Sequence, residues 1–315
     1  MITIYKTNTM ADASRYVSDV LSRVDKSNLA VSHTVIVPDR ASLEAERALL
    51  QAVGGSFNAQ VKTFRRLAAD ILPKYDYLSK QAGIMALSGI IKDCREQLTC
   101  FVKGVDTAGF VESMYDTISM MKYCRISPKM LLNADLPKSV KGKAKDVATL
   151  YQAYLDYTEG RFIDSADKLD LLCESIAQTD FAKNSYYYLY DFDNFSTQEL
   201  AFVEQLMVKS RGVVVACCVG KSYKDKHLYL DDIYQGVMGI CKRNGITPNV
   251  IEGEAYKSKC GQQIGKHLYR YDSVKPVEIG DFAEIFRGDS RVNEVYALAC
   301  RVQQYVRQGG RFKDI

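Results

Sequence analysis

The chain has 315 residues, 47% of them hydrophobic, enough for one large or two ordinary domains with real cores. Its formal net charge of +4 allows a local nucleic-acid patch but argues against a uniformly DNA-coating surface. No apolar run approaches the ~18–20 residues that span a bilayer, and MITIYKTNTMADAS lacks signal-peptide architecture, so no membrane role is expected. Nine cysteines without CxxC spacing read as reduced thiols of a cytoplasmic protein, not as disulfides or metal ligands.

ITIY (2–5) reads as a short strand, followed by helical spacing from Ala11 to Val24. HTVIV (33–37) is a continuous buried strand ended by Pro38-Asp39, and SLEAERALLQAV (42–53) a helix stopped by Gly54-Gly55. AQVKTF (59–64) reads as a third strand and RRLAADIL (65–72) as a short helix. Strand–helix alternation of this kind predicts an α/β fold with a parallel sheet and crossover helices.

From Ser79 to about Gln178 the pattern becomes all-helical. AGIMALSGIIKDCREQL, GFVESMYDTISMMKYC, KDVATLYQAYLDYTE and SADKLDLLCESIAQ are joined by polar or proline-bearing turns, and PKSVKGKAKD (137–146) reads as the most basic loop. A large all-helical insertion in the α/β domain follows from this. The sheet resumes with YYYLYD (186–191), then a helix with a Ser196/Glu199 capping box that turns Leu200, Val203, Leu206 and Met207 to the core. GVVVACCV (212–219) is a further strand, in which Cys217 and Cys218 point to opposite faces. A helix over about 231–243 ends at Asn244-Gly245. Residues 253–275 read as a linker, FAEIF (282–286) as a strand and 291–308 as an amphipathic helix closed by Gly309-Gly310.

A nucleotide site of this architecture needs a glycine-rich loop after the first strand, where backbone N–H groups cradle phosphates. KTNTMADAS has no glycine and no GK[ST]. Gly220-Lys221-Ser222 follows a strand, but Val215 occupies the position of the motif's first glycine, so a basic surface turn is the plainer reading. In LYDFDN, Asp191 has the place of a magnesium ligand, yet Phe192 stands where hydrolysis needs a carboxylate to orient water. An Asp191/Asp193 metal pair has no third ligand in view, and His33, His227 and His267 are isolated. These residues describe a degenerate ATP site.

HTVIVPDRASLEAERALL followed by FNAQVKTFRRLAADIL resembles the N-terminal region of the AddB/RexB type of ATP-dependent helicase/deoxyribonuclease subunit. So do YYLYDFDNFSTQELAFVEQLM and DSRVNEVYALACRVQQYVRQGGRFKDI, and the likeness covers nearly the whole chain. It implies a RecA-like, P-loop NTPase-like fold of the superfamily 1 helicases. Residues 1–75 and 186–252 would form the first RecA-like domain, 79–180 its helical insertion, and 276–315 the start of a second, truncated RecA-like domain. Some members keep a phosphate loop after the first strand; KTNTMADAS departs from that.

The resemblance further implies an AddA/RexA-type motor subunit as heterodimer partner, single-stranded DNA as ligand, and a role in scanning for the Chi signal during break resection. It places nuclease acids, magnesium and an iron–sulfur cluster outside this fragment, so no cofactor and no catalytic residue are expected within it. Segments matching VPDRAS and TFRRLA line the DNA track of such helicases. Arg40, Ser42, Lys62, Phe64, Arg65 and Arg66 are therefore the expected DNA-binding residues, with Phe192 and Phe195 able to stack bases at the same edge. Two other readings stay open: an active NTPase using Gly220-Lys221-Ser222, and a purely structural platform for the motor subunit.

Overall fold

A computed structural model describes residues 1–7, 9–72, 77–102, 104–105, 107–164, 166–219, 232–253, 285–312 and 315. Met1–Ala255 form one compact unit and Tyr256–Ile315 a second.

The first unit is built on a six-stranded sheet in which every pairing is parallel. Its strands are β1 (Ile2–Thr7), β2 (Ser32–Ile36), β3 (Ala59–Lys62), β4 (Ser185–Leu189), β5 (Gly212–Cys218) and β6 (Asn249–Glu252), in the order β3-β2-β4-β5-β1-β6. The expected α/β architecture with a parallel sheet is present, and it is consistent with the RecA-like class. Helices α1 (Met10–Ser22) and α2 (Ser42–Val53) cover one face, over a core that includes Val35, Val61, Tyr188 and Ala216. Helices α3 (Phe64–Ile71), α8 (Lys168–Gln178), α9 (Thr197–Lys209) and α10 (Asp232–Arg243) cover the other, over Ile4, Ile36, Leu189 and Val215. Both faces are buried, which is why the strands read as continuous apolar runs. Cys217 is buried in one core while Cys218, its neighbour, is only half-buried.

Between α3 and β4 in sequence lie α4 (Lys80–Asp93), α5 (Ala108–Tyr123), α6 (Pro128–Asn133), α7 (Lys138–Thr158) and α8. The first, second and fourth of these share a separate core of Leu87, Ile91, Ile118, Leu150 and Tyr154. The last, α8, packs instead on α3 and α9 beside the sheet.

Several elements differ from the sequence reading. The basic stretch 137–146 is not a loop: Lys138 opens α7 directly after Pro137. Lysine is a good helix former, and Asp146 turns inward to accept hydrogen bonds from the backbone N–H groups of Thr99, Cys100 and Phe101. The turn around Pro128 is the short helix α6, with proline at its first position and Ser127 as N-cap. The third strand ends at Lys62, because the Thr63 hydroxyl accepts from the Arg66 N–H and makes Phe64 the first residue of α3. A sixth strand, β6, is an addition to the elements that the sequence pattern predicts. The Ser196/Glu199 capping box is formed as expected, with Val203, Leu206 and Met207 buried.

The second unit is described by its helix α11 (Arg291–Arg307), capped by Ser290 and followed by Gly309 at φ 98°. Ile285 and Phe286 carry no strand; the rest of the FAEIF segment, residues 254–275 of the linker and Gly220-Lys221-Ser222 lie outside the described residues.

Candidate nucleic-acid interface

Three chain reversals at the C-terminal ends of β2, β3 and β4 bring the expected residues to one edge. After β2, Pro38 (φ −61°, ψ 156°) starts a 3-10 turn over Asp39–Ala41 that presents Arg40 and leads into α2 at Ser42. After β3, the Thr63 cap sets Phe64, Arg65 and Arg66 on the first turn of α3. After β4, Asp191 adopts a left-handed backbone (φ 66°), a conformation that aspartate tolerates better than most side chains. That reversal leads through Phe192, Asp193 and Phe195 to the α9 capping box.

A cavity of about 460 Å³ opens at this edge, with Arg40, Thr63, Phe64, Arg65, Phe192 and Asp193 in its lining. Phe64 and Phe192 form its apolar floor but are themselves core residues, 9% and 8% exposed. Their ring centroids are 5.3 Å apart, and Phe195 packs 4.8 Å from Phe192. The expectation that Phe192 stacks a base thus meets a buried ring already packed between two others.

The cations of the edge are paired. Arg40 donates to the Asp191 carbonyl oxygen at 2.7 Å and to the Asp193 carboxylate at 3.0 Å, and lies 3.5 Å from the Asp191 carboxylate. Arg65 faces Asp39 at 3.6 Å, Arg66 bonds Glu46 at 2.7 Å, and Lys62 meets Asp70 at 2.6 Å. These are partly exposed ion pairs, each worth roughly 0–1 kcal/mol, so an incoming phosphate competes with a weak partner. Burial lifts the Asp191 carboxyl above its ordinary range; Arg40 pulls it down, while Asp193 and Glu44 add to the rise.

Three lining residues, Tyr123, Lys168 and Leu169, come from the helical segment and are not among those the sequence pattern points to. Tyr123, at the end of α5, and Lys168, at the start of α8, close one side of the cavity. Each adjoins a buried ion cluster in which Lys122 contacts Asp164 at 2.8 Å and Asp167 at 2.6 Å. Burial opposes the Lys122 charge, but the two aspartates outweigh it and hold its pKa above the usual lysine range. Gln198 of α9 bonds the Ala166 carbonyl at 2.8 Å and Asp170 at 2.7 Å, tying the start of α8 to the sheet side. No local signal in the sequence links positions so far apart.

The β1–α1 junction, where a phosphate loop would sit, is built differently. Thr9 caps α1 by accepting from the Asp12 N–H at 3.2 Å. The Asp12 carboxylate in turn accepts from Thr7 at 2.6 Å, from Tyr5 at 2.8 Å, and from Arg15. Burial works against this carboxylate, yet the hydroxyls and Arg15 together hold its pKa below the ordinary range. Gly253, whose N–H reaches the Lys6 carbonyl at 2.6 Å, passes close overhead. A Cβ there would fall 2.6 Å from the Tyr5 hydroxyl and 2.7 Å from Asp12, so only glycine fits.

Among the described residues, no three His, Cys, Asp or Glu side chains gather as a metal site, and no helix is long and apolar enough to cross a membrane. The described cysteines are dispersed and do not fit an iron–sulfur cluster.

Fold and edge together define an α/β protein with a parallel sheet and a mixed aromatic and cationic cavity at the strand ends. Residues 12–263 match the family model described as ADDB, N-terminal, and the chain belongs to that family. It is similar to the B subunit of the ATP-dependent helicase/deoxyribonuclease of Listeria innocua (31% identical, covering 90% of this chain and 26% of that protein). The proteins of the same name from Anoxybacillus flavithermus (27%; 89% and 26%) and Clostridium tetani (22%; 96% and 29%) are also similar. The chain therefore spans little more than a quarter of the length of these curated relatives.

Proposed function

We propose that this chain is a non-catalytic, helicase-like part of a break-resecting helicase/deoxyribonuclease subunit, and that its β2–β3–β4 edge takes single-stranded DNA while the strand is scanned for Chi. The observation that carries this is the cavity with Arg40 and Arg65 on its walls and Phe64 and Phe192 beneath, at the C-terminal strand ends where open parallel sheets take ligands. Guanidinium groups suit phosphodiesters. The word subunit in the relatives' name supports a partner, here an AddA/RexA-type motor in the cytoplasm.

Lack of ATP turnover belongs to the same reading. It is supported by the missing glycine loop, by Phe192 after Asp191, and by the Asp12 carboxylate at the α1 N-terminus, which repels a phosphate. The division into a first RecA-like domain (1–75 and 186–252), a helical insertion (79–180) and the start of a second RecA-like domain (276–315) is likewise proposed. Magnesium and cluster chemistry fall to nuclease residues outside this chain.

Titration of fluorescent single-stranded DNA at several salt concentrations, with phosphate release followed alongside, tests the proposal. Weak, salt-sensitive binding without phosphate release is expected. Turnover that disappears in Lys221→Ala would establish an NTPase instead. The pairing of every expected edge cation favours one second reading, a structural platform for the partner, which complete absence of salt-sensitive binding would select.

A further inference from the structure

Arg40 is the edge cation with the most partners, and those partners come from far away in sequence. Asp191 and Asp193 belong to the reversal after β4 and converge on the single guanidinium that follows β2. Two features show that this convergence is built and not incidental. Asp191 holds a left-handed backbone that costs an ordinary residue of order 1–3 kcal/mol, and it turns its carbonyl oxygen onto Arg40. Two like charges are also brought together around one cation, an arrangement that costs repulsion unless the cation stays between them. The two aspartates differ in access: the Asp191 side chain is 17% exposed, that of Asp193 79%. One partner is fixed and the other is free to leave.

We propose that Asp193 is an internal competitor for Arg40, occupying the guanidinium face that a DNA phosphate takes and giving it up when the strand arrives. The inference rests on the reading of this edge as a nucleic-acid interface. Binding then exchanges one anion for another. Arg40 contributes orientation through its retained bond to the Asp191 carbonyl, but little net charge neutralisation and little counterion release. A strand held in this way is gripped weakly at each phosphate and slides without large barriers.

A double-mutant cycle on the intact chain tests this, using Asp193→Asn, Arg40→Ala, the pair, and Asp135→Asn as a control that removes an equal charge from an exposed position elsewhere. Single-stranded DNA is titrated against each across a salt series. Asp193→Asn should bind about threefold tighter than the parent and steepen the log–log salt slope by about one unit. Both gains should vanish in the Arg40→Ala background and be absent in Asp135→Asn. Unchanged or weakened binding by Asp193→Asn, or a gain that persists without Arg40, would overturn the proposal and leave Asp193 as a simple orienting or repelling charge. If the parent itself shows no salt-sensitive binding, the reading of the edge falls and this inference falls with it. Parent binding without the Asp193 effect defeats the inference alone.

Discussion

The sheet offers two sets of strand ends on the same side, and they are closed in opposite ways. At the β1–α1 junction a buried carboxylate takes hydroxyl and guanidinium donors. At the β2–β3–β4 edge exposed carboxylates take guanidinium partners around an open cavity. The chemistry is similar, so burial makes the difference. The Asp12 side chain is 7% exposed and that of Asp193 is 79% exposed. A buried, satisfied carboxylate is costly to displace, whereas an exposed pair exchanges for little. One carboxylate is held fast and the other is exchangeable.

The comparison is most exposed to failure at Phe192, which belongs to the edge by position and to the core by packing. Phe192→Ala should lower unfolding free energy by about 3 kcal/mol, as for other buried aromatic truncations. A urea melt that barely moves, together with a clear loss of DNA affinity, would make the ring a stacking surface and widen the open edge at the core's expense.

Asp12→Asn probes the β1–α1 junction and should cost about 2 kcal/mol near neutral pH, since bonds to a charged acceptor are lost. The folded pKa of Asp12 lies below its unfolded value of about 3.9, so its stabilisation is complete above that value. It disappears as pH falls through the folded pKa. Melts at pH 7, 5 and 3 should therefore show parent and variant apart at the first two and converging at the third. Equal stability at all three would mean that the junction is closed by backbone packing alone.

The smallest effects belong to exposed cations. Arg66→Ala should change stability by less than about 1 kcal/mol and, because Arg66 exchanges Glu46 for a phosphate, reduce the DNA salt slope by less than about one unit. Lys141→Ala, in the first turn of α7, should do less to binding. The reverse order would move the interface from the strand ends to the helical segment.

How much of this was legible in the residues alone follows from the same physics. YYYLYD and GVVVACCV announce strands because both sides of each strand are buried, leaving no polar alternation to confuse with a helix. NVIE does not, since β6 is four residues long, mostly exposed, and bounded by Asn249 and Glu252. The lysines of 137–146 suggested solvent and hence a loop, although exposure on a helix satisfies them equally well. At the edge, the cations were readable as residue types following strands. Their partners were not: Arg40 and Asp193 are 153 positions apart, and nothing local couples them. Tyr123 and Lys168 were invisible for the same reason: Lys168 reaches the cavity through the packing of α8 on α3 and α9, and Tyr123 lies next to Lys122, which is ion-paired to Asp164 and Asp167.

The strand order has a consequence for synthesis. Residues 2–7, which precede the other strands in the chain, lie between residues 212–218 and 249–252. At roughly 5–20 residues per second, tens of seconds pass between emergence of the first strand and arrival of its last neighbour. Until residues 212–218 arrive the segment has two unpaired edges, and one stays open until residues 249–252, whereas the helices of 80–158 close through nearby contacts as they appear. The nascent chain must therefore carry a β-prone segment with open backbone edges until nearly the whole first unit has left the ribosome.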